Sequence, residues 1–256
     1  MDDAALPLTA HLTELRSRIA KMLGAWVTAS AFAWIWNEDI FRALLEPATQ
    51  ALGDGGMLQA IAPTEIFFTY LKSALLAGFV ISLPVLFWQL WSFIAPGLYP
   101  SEKKVAIPFV VASTLLFISG ASFGYVFVFP LIYDFFAGFS SDFVVSAWTM
   151  REVFALTTRL FLAFGVAFEL PVAIFFLSMA GIVDAPTLFR GTPYAVLGVF
   201  VLAALLTPPD WVSQIFLGVP MVVLYLVGVG VAWIFGGARK RAAKTEETET
   251  DSGTLV

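Results

Sequence analysis

Phe161 to Ile174 reads FLAFGVAFELPVAI, a long apolar run interrupted by Glu169 and, two positions on, by Pro171. A carboxylate at the centre of a bilayer costs between ~3 and well over 10 kcal/mol, depending on the reference state. Such a group persists only if it is protonated, paired, or facing a cavity or a partner. The plain structural reading is a protonated acid bonded to a backbone carbonyl one turn away, beside a kink at Pro171. The functional reading is an intramembrane polar site centred on Glu169. On either reading the remaining chain is scaffold that places this helix, with polar ends on one side of a membrane.

Composition supports the membrane setting. Of 256 residues, 59% are hydrophobic and 13% charged, whereas soluble domains carry about 25% charged residues. The apolar runs are long and continuous rather than alternating, which predicts an all-α membrane protein and not a barrel. Cysteine is absent, which excludes disulfides, thiolate metal sites and cysteine nucleophiles. The single histidine, His11, precedes the first apolar run, so neither HExxH zinc chemistry nor a serine–histidine pair lies within the membrane. No metal or cofactor is expected.

Taken in order, Leu8, Leu12, Leu15 and Ile19 recur at helical spacing and predict a short amphipathic helix along the membrane surface. A first span follows over about Ile19–Trp36, with Lys21 able to snorkel. Residues 37–63 read as a polar connection holding an amphipathic piece, Ile40 to Leu45, stopped by Pro47, and a turn at Gly53-Asp54-Gly55-Gly56. The second span opens at Pro63-Thr64-Glu65 and reaches about Ile94, with Pro84 inside it. After the polar loop APGLYPSEKK, the third span covers Val105 to about Phe129 and ends at Pro130. Leu131–Trp148 reads as a second polar connection. Thr149 and Glu152 form a capping box for the fourth helix, which extends to about Ile182. Residues 183–192 read as a loop. The fifth span, Pro193–Leu206, is short, roughly 21 Å at 1.5 Å per residue. Thr207-Pro208-Pro209-Asp210 makes a hairpin into the sixth span, Trp211–Phe235, and residues 237–256 are expected to be a disordered tail.

Six spans place both termini on one side, and lysine and arginine choose it. The amino terminus, the loops before spans three and five, and the tail hold ten of the fourteen basic residues. Both termini are therefore expected to be cytoplasmic. Helices two and four also match at an offset of 87 residues: Glu65 with Glu152, Lys72 with Arg159, and the LPV at Leu83 with that at Leu170. A degenerate parallel repeat and chance likeness of apolar helices both account for this; in the former, Ser82 stands where Glu169 does.

Four stretches together resemble the TatC family, the receptor subunit of the twin-arginine protein translocase. They are HLTELRSR (His11–Arg18), PVLFWQLWSFIAPGLYPSEKK (Pro84–Lys104), AFGVAFELPV (Ala163–Val172) and LLTPPDWVSQ (Leu205–Gln214). The resemblance implies a non-enzymatic, multi-pass protein of the cytoplasmic membrane that binds signal peptides bearing consecutive arginines. It also implies a multimeric complex with single-span TatA- and TatB-type partners, cargo transport driven by the proton motive force, and contact with membrane lipid but not nucleic acid. It assigns signal-peptide binding to Glu14 and Glu102, with Arg16 and Lys103 in the same motifs, the intramembrane polar site to Glu169, and partner docking to Gln89, Phe93, Asp210 and Gln214. The chain departs from the pattern in two places. The loop before span five reads LFRGTPY with Arg190 as its one basic residue, and Leu226 follows Tyr225 where a glutamate is common.

The chemistry of these residues fits that role and a simpler one. A guanidinium binds carboxylate through two parallel hydrogen bonds, so two adjacent arginines call for two carboxylates at the membrane surface. Glu14 equally suits an intrahelical pair with Arg18, worth about 0.3–0.5 kcal/mol, and Glu102 suits the positive end of span three. Arg16 and Arg18 suit orientation and anionic lipid, and Asp210 suits a turn after two prolines. A different class, a proton-coupled secondary transporter with Glu169 as carrier, would need several polar groups converging at midplane depth, where Glu169 stands out alone. An intramembrane aspartyl protease would need a second aspartate beside Asp210, and none is present at that depth.

Overall fold

A computed structural model describes the backbone of residues 8–53, 56–94, 106–141 and 147–253, and the side chains of 12–53, 56–93, 107–141 and 147–234. The described residues form helices and turns with one isolated bridge, Gln59 to Thr149, and no strand. In chain order the helices are α1 (Leu8–Ala33), α2 (Asn37–Ala51), α3 (Pro63–Ile94), α4 (Ala106–Phe123), α5 (Phe129–Ala137), α6 (Met150–Ala167), α7 (Leu170–Met179), α8 (Ala185–Arg190), α9 (Thr192–Leu206) and α10 (Trp211–Gly253). Among the described residues five stretches are long and apolar enough to cross a membrane: Leu12–Ala51, Pro63–Phe93, Ile107–Ala137, Met150–Met179 and Trp211–Ile234. The expected fifth span is indeed short, the 15-residue apolar helix α9. Contacts divide the chain into two units, Met1–Ile118 with Tyr125–Thr158, and Ser119–Gly124 with Arg159–Val256.

In the first unit the expected surface helix and first span are one helix, because nothing between Leu8 and Ala33 caps or breaks the ladder. A 3-10 turn at Trp34–Trp36 then leads into α2. α1 packs along α3 at a contact of small residues, as close helix crossings in membranes require. A Cβ on Gly78 would stand 2.5 Å from the Ser30 Cα, and Ala33 and Ala74 are each 1% exposed. The Trp26 indole N–H reaches across to the Leu75 carbonyl at 2.8 Å. Pro84 leaves α3 continuous, and the Ser82 hydroxyl donates to the Phe79 carbonyl at 2.9 Å just before it.

Two prolines expected to stop helices do not. Pro47 lies inside α2, which continues to Ala51. A proline denies the carbonyl four residues back its usual donor, here that of Ala43, and the Tyr125 hydroxyl supplies the missing bond at 2.5 Å. Tyr125 projects from a π-helical turn, Gly124–Val128, that joins α4 to α5. The extra residue of such a turn absorbs the break and sets Pro130 in the first turn of α5, where no N–H is needed. The chain expected to be a polar connection from Leu131 therefore begins as helix to Ala137, with Ile132 and Tyr133 buried. The Tyr133 hydroxyl meets the Thr157 hydroxyl at 2.5 Å.

Loops of this unit are tied by one carboxylate. Glu65 Oε2 accepts from the backbone N–H of Ile61 (2.9 Å) and Ala62 (3.4 Å), while Oε1 accepts from that of Arg151 (2.9 Å). The Arg151 N–H is one of the orphan donors at the start of α6. The next, that of Glu152, donates to the Thr149 hydroxyl at 3.3 Å, one half of the expected capping box. Beside them Gln59 pairs with the strand-like segment before α6, its N–H to the Trp148 carbonyl at 2.9 Å and its carbonyl from the Met150 N–H at 2.8 Å.

In the second unit the fourth helix is broken rather than continuous to Ile182. α6 ends at Ala167 and α7 starts at Leu170. The LPV match between helices two and four therefore holds in sequence but not in conformation, since Pro84 leaves its helix intact. α7 closes at Gly181, whose φ of +75° suits glycine, with Ile182 N–H on the Leu177 carbonyl at 2.9 Å. Residues expected as a loop hold the one-and-a-half-turn α8, capped by Asp184 Oδ1 on the Thr187 N–H at 3.0 Å. α10 packs on α7, α8 and α9. Tyr225 bonds the Leu188 carbonyl at 2.7 Å, and Gly228 receives the Ile174 side chain. The α10 backbone runs on to Gly253 through residues rich in Ala, Arg, Lys and Glu, all good helix formers.

Candidate functional site

Glu14 lies in the second turn of α1, with Arg18 one turn further on and on the same face. Arg18 donates to Glu14 Oε1 from Nε at 3.0 Å and from Nη2 at 2.5 Å. The side chains keep 36% exposure for Glu14 and 19% for Arg18, so the pair is half sheltered. Arg16 is exposed. The intrahelical pair weighed from sequence is thus the arrangement adopted. Glu102 and Lys103 lie outside the described residues.

Gln89 and Phe93 both lie near the end of α3 and are half-buried. Midway between them in sequence, Trp91 is 3% exposed and packs on Phe109 of α4 at 4.5 Å between ring centroids. This aromatic contact ties the last turns of α3 to α4.

Glu169 occupies the turn between α6 and α7 with helical φ and ψ of −77° and −13°. Its N–H closes a tight bond on the Val166 carbonyl at 3.0 Å, and its carbonyl accepts from the Ala173 N–H at 2.8 Å. Pro171 sits in the first turn of α7, where its lack of an N–H costs nothing. The expected kink is thus a break that puts Glu169 at a helix junction, with carboxylate Oε1 shielded from solvent. The preceding Phe168 packs on Phe123 at 5.8 Å, and a Cβ on Gly120 would stand 2.5 Å from the Phe164 carbonyl. These contacts leave the junction little room to straighten.

Asp210 is a helix cap. Its Oδ1 accepts from the Ser213 N–H at 2.7 Å, and its carbonyl accepts from the Gln214 N–H at 3.3 Å. Just before it, buried Thr207 bonds the Ala203 carbonyl through its hydroxyl at 2.9 Å, finishing α9. The Pro208-Pro209 hairpin is thereby pinned at both ends, and Gln214 follows one turn into α10. The turn role weighed for Asp210 is realised.

Sequence reading passed over Glu65 as a tie between loops and Tyr125 as the partner of the Pro47 gap. The first had a local sign, an acidic residue in the first turn after Pro63. The second had none, since 82 residues separate Tyr125 from Ala43. Asp184 followed by a proline two positions on was a legible cap.

The chain is similar to known proteins along nearly its whole length. Residues 10–220 match the family model described as Sec-independent protein translocase protein (TatC). The TatC protein of Desulforapulum autotrophicum is 38% identical over 252 residues, covering 97% of this chain and 93% of that one. The TatC protein of Azotobacter chroococcum is 40% identical over 239 residues, with 93% and 92% covered. A crystal structure described as the twin arginine translocase receptor TatC superposes with a TM-score of 0.79 at 31% identity, covering 88% of this chain and 98% of that one. With sequence relatives and the helical fold in agreement, the chain belongs to the TatC family of protein translocase subunits, a family of transport proteins and not of enzymes.

Proposed function

We propose that the chain is the signal-peptide receptor of a twin-arginine translocase, holding the paired arginines of folded cargo with Glu14 and Glu102. Arg16 and Lys103 flank those carboxylates and hold the peptide backbone or lipid phosphate. The chain crosses the cytoplasmic membrane six times, α9 serving as the short fifth span, with both termini cytoplasmic. Residues 1–236 form the membrane domain and 237–256 a cytoplasmic tail. Single-span TatA- and TatB-type helices dock at Gln89, Phe93, Asp210 and Gln214, and one of them meets Glu169 inside the membrane. The proton motive force drives transport.

The observation that carries this reading is the Glu14 carboxylate: half-exposed, near the polar end of an apolar helix, and already engaged by a guanidinium, the group a ligand arginine would bring, through one of its two oxygens. The end of α3, tied to α4 by Trp91 on Phe109 and eight residues before Glu102 in sequence, supports it. Membership of a protein-translocase family does not favour the proton-coupled transporter.

Affinity for a twin-arginine peptide, measured on the full chain in nanodiscs, tests the reading. Hydrogen bonds to charged groups contribute about 1.5–3 kcal/mol each, so Glu14→Gln or Glu102→Gln should weaken binding roughly ten- to hundredfold. Glu102→Asp should cost less, and exchanging both peptide arginines for lysine should weaken binding to the parent chain. A double-mutant cycle between peptide and protein changes should give nonzero coupling. Coupling near zero for both glutamates would place arginine recognition elsewhere.

A further inference from the structure

Arg18 uses one oxygen of Glu14. Nε and Nη2 both point at Oε1, and Oε2 has no partner among the described residues. A side-on guanidinium–carboxylate pair needs both oxygens. With Arg18 in place, an incoming arginine therefore reaches Oε2 alone and forfeits its second parallel bond. An ammonium is a point donor that is satisfied by one oxygen, so an incoming lysine binds Oε2 without disturbing Arg18.

We propose that Arg18 is an internal guanidinium that occupies Glu14 in the empty receptor and is displaced from Oε1 by the ligand arginine, which makes it a specificity-determining residue. The inference rests on the reading of Glu14 as an arginine-binding carboxylate. Helix geometry preorganises the competitor, since Glu followed by a basic residue four positions later is the favoured order. Partial shelter, with Arg18 at 19% exposure, keeps the pair from being fully screened. Arg18 consequently taxes arginine ligands more than lysine ligands.

The test uses the full chain in nanodiscs at one ionic strength. The probes are a fluorescent peptide with two consecutive arginines and its counterpart with two lysines. Arg18→Met keeps an unbranched, helix-favouring side chain and the apolar stem while removing the fork. Arginine-peptide binding should tighten roughly two- to fivefold, the range expected for losing an ion pair of this exposure. Losing a nearby positive charge helps both peptides alike, whereas displacement helps the arginine peptide alone. The arginine-to-lysine affinity ratio should therefore widen. Arg18→Gln should widen it too, and in a Glu14→Gln background neither change should move it.

Arginine binding that is unchanged or weaker in both Arg18 variants, or gains equal for the two peptides, would overturn the inference. If Glu14→Gln alone weakens arginine binding while the ratio ignores Arg18, the receptor reading survives and this inference fails by itself. If Glu14→Gln binds as tightly as the parent, both fall together.

Discussion

Replacing Gly78 by alanine adds one methyl group where two helix backbones meet. The new Cβ would stand 2.5 Å from both the Cα and the N of Ser30. Carbon contacts settle near ~3.5–4.0 Å, and no rotamer change moves a backbone atom, so α1 has to retreat from α3 by about 1 Å. That retreat stretches the Trp26–Leu75 bond, now 2.8 Å, to about 3.8 Å, beyond hydrogen-bond range. Overpacking costs about 1–3 kcal/mol and the lost bond about 1 kcal/mol. The better helix propensity of alanine returns about 1 kcal/mol. A net loss of about 1–3 kcal/mol follows from these terms. Equilibrium unfolding in mixed micelles measures it, with Gly24→Ala and Gly230→Ala as controls. Both controls open onto free space and should be unchanged or stabilised by up to about 1 kcal/mol. Gly228→Ala should fall between, because the atom in its way is the terminal methyl of Ile174, which can turn aside. Should Gly78→Ala unfold together with the Gly24 and Gly230 controls, the close crossing of α1 and α3 is wrong.

Three further outcomes are expected. Tyr125→Phe should cost about 0.5–1.5 kcal/mol by stranding the Ala43 carbonyl, and Pro47→Ala, which restores that carbonyl's own helix donor, should abolish the cost. An equal cost in both backgrounds would disconnect the two residues. Glu169→Gln should retain part of cargo export and Glu169→Ala should lose it, since glutamine still bonds a partner helix; equal loss in both would point to proton transfer instead. In the cysteine-free chain, Ser140→Cys should react with an impermeant thiol reagent from outside intact cells and Thr187→Cys should not. The reverse pattern would invert the proposed orientation.

Charge-poor apolar runs, Glu169-x-Pro171 and the placement of basic residues were enough to make the chain an all-helical membrane protein with an exceptional carboxylate and a short penultimate apolar helix. Those features are local, because partitioning into lipid depends on the side chains of one segment at a time. The TatC motifs were legible for the same reason, each being a contiguous stretch. Helix limits at proline were misjudged because a proline's cost depends on who else can satisfy the freed carbonyl. For Pro47 that donor is Tyr125, distant in sequence, and for Pro130 it is a π-helical turn that shifts the proline to where no donor is required. Likewise the sequence offered two roles for Glu14, and the choice of its resting partner, Arg18 through a single oxygen, belongs to side-chain geometry that spacing alone does not set. Segment chemistry decides which stretches enter a membrane. Only tertiary structure decides which backbone and carboxylate groups find partners there, because a hydrogen bond depends on angstrom-scale approach between elements and not on composition.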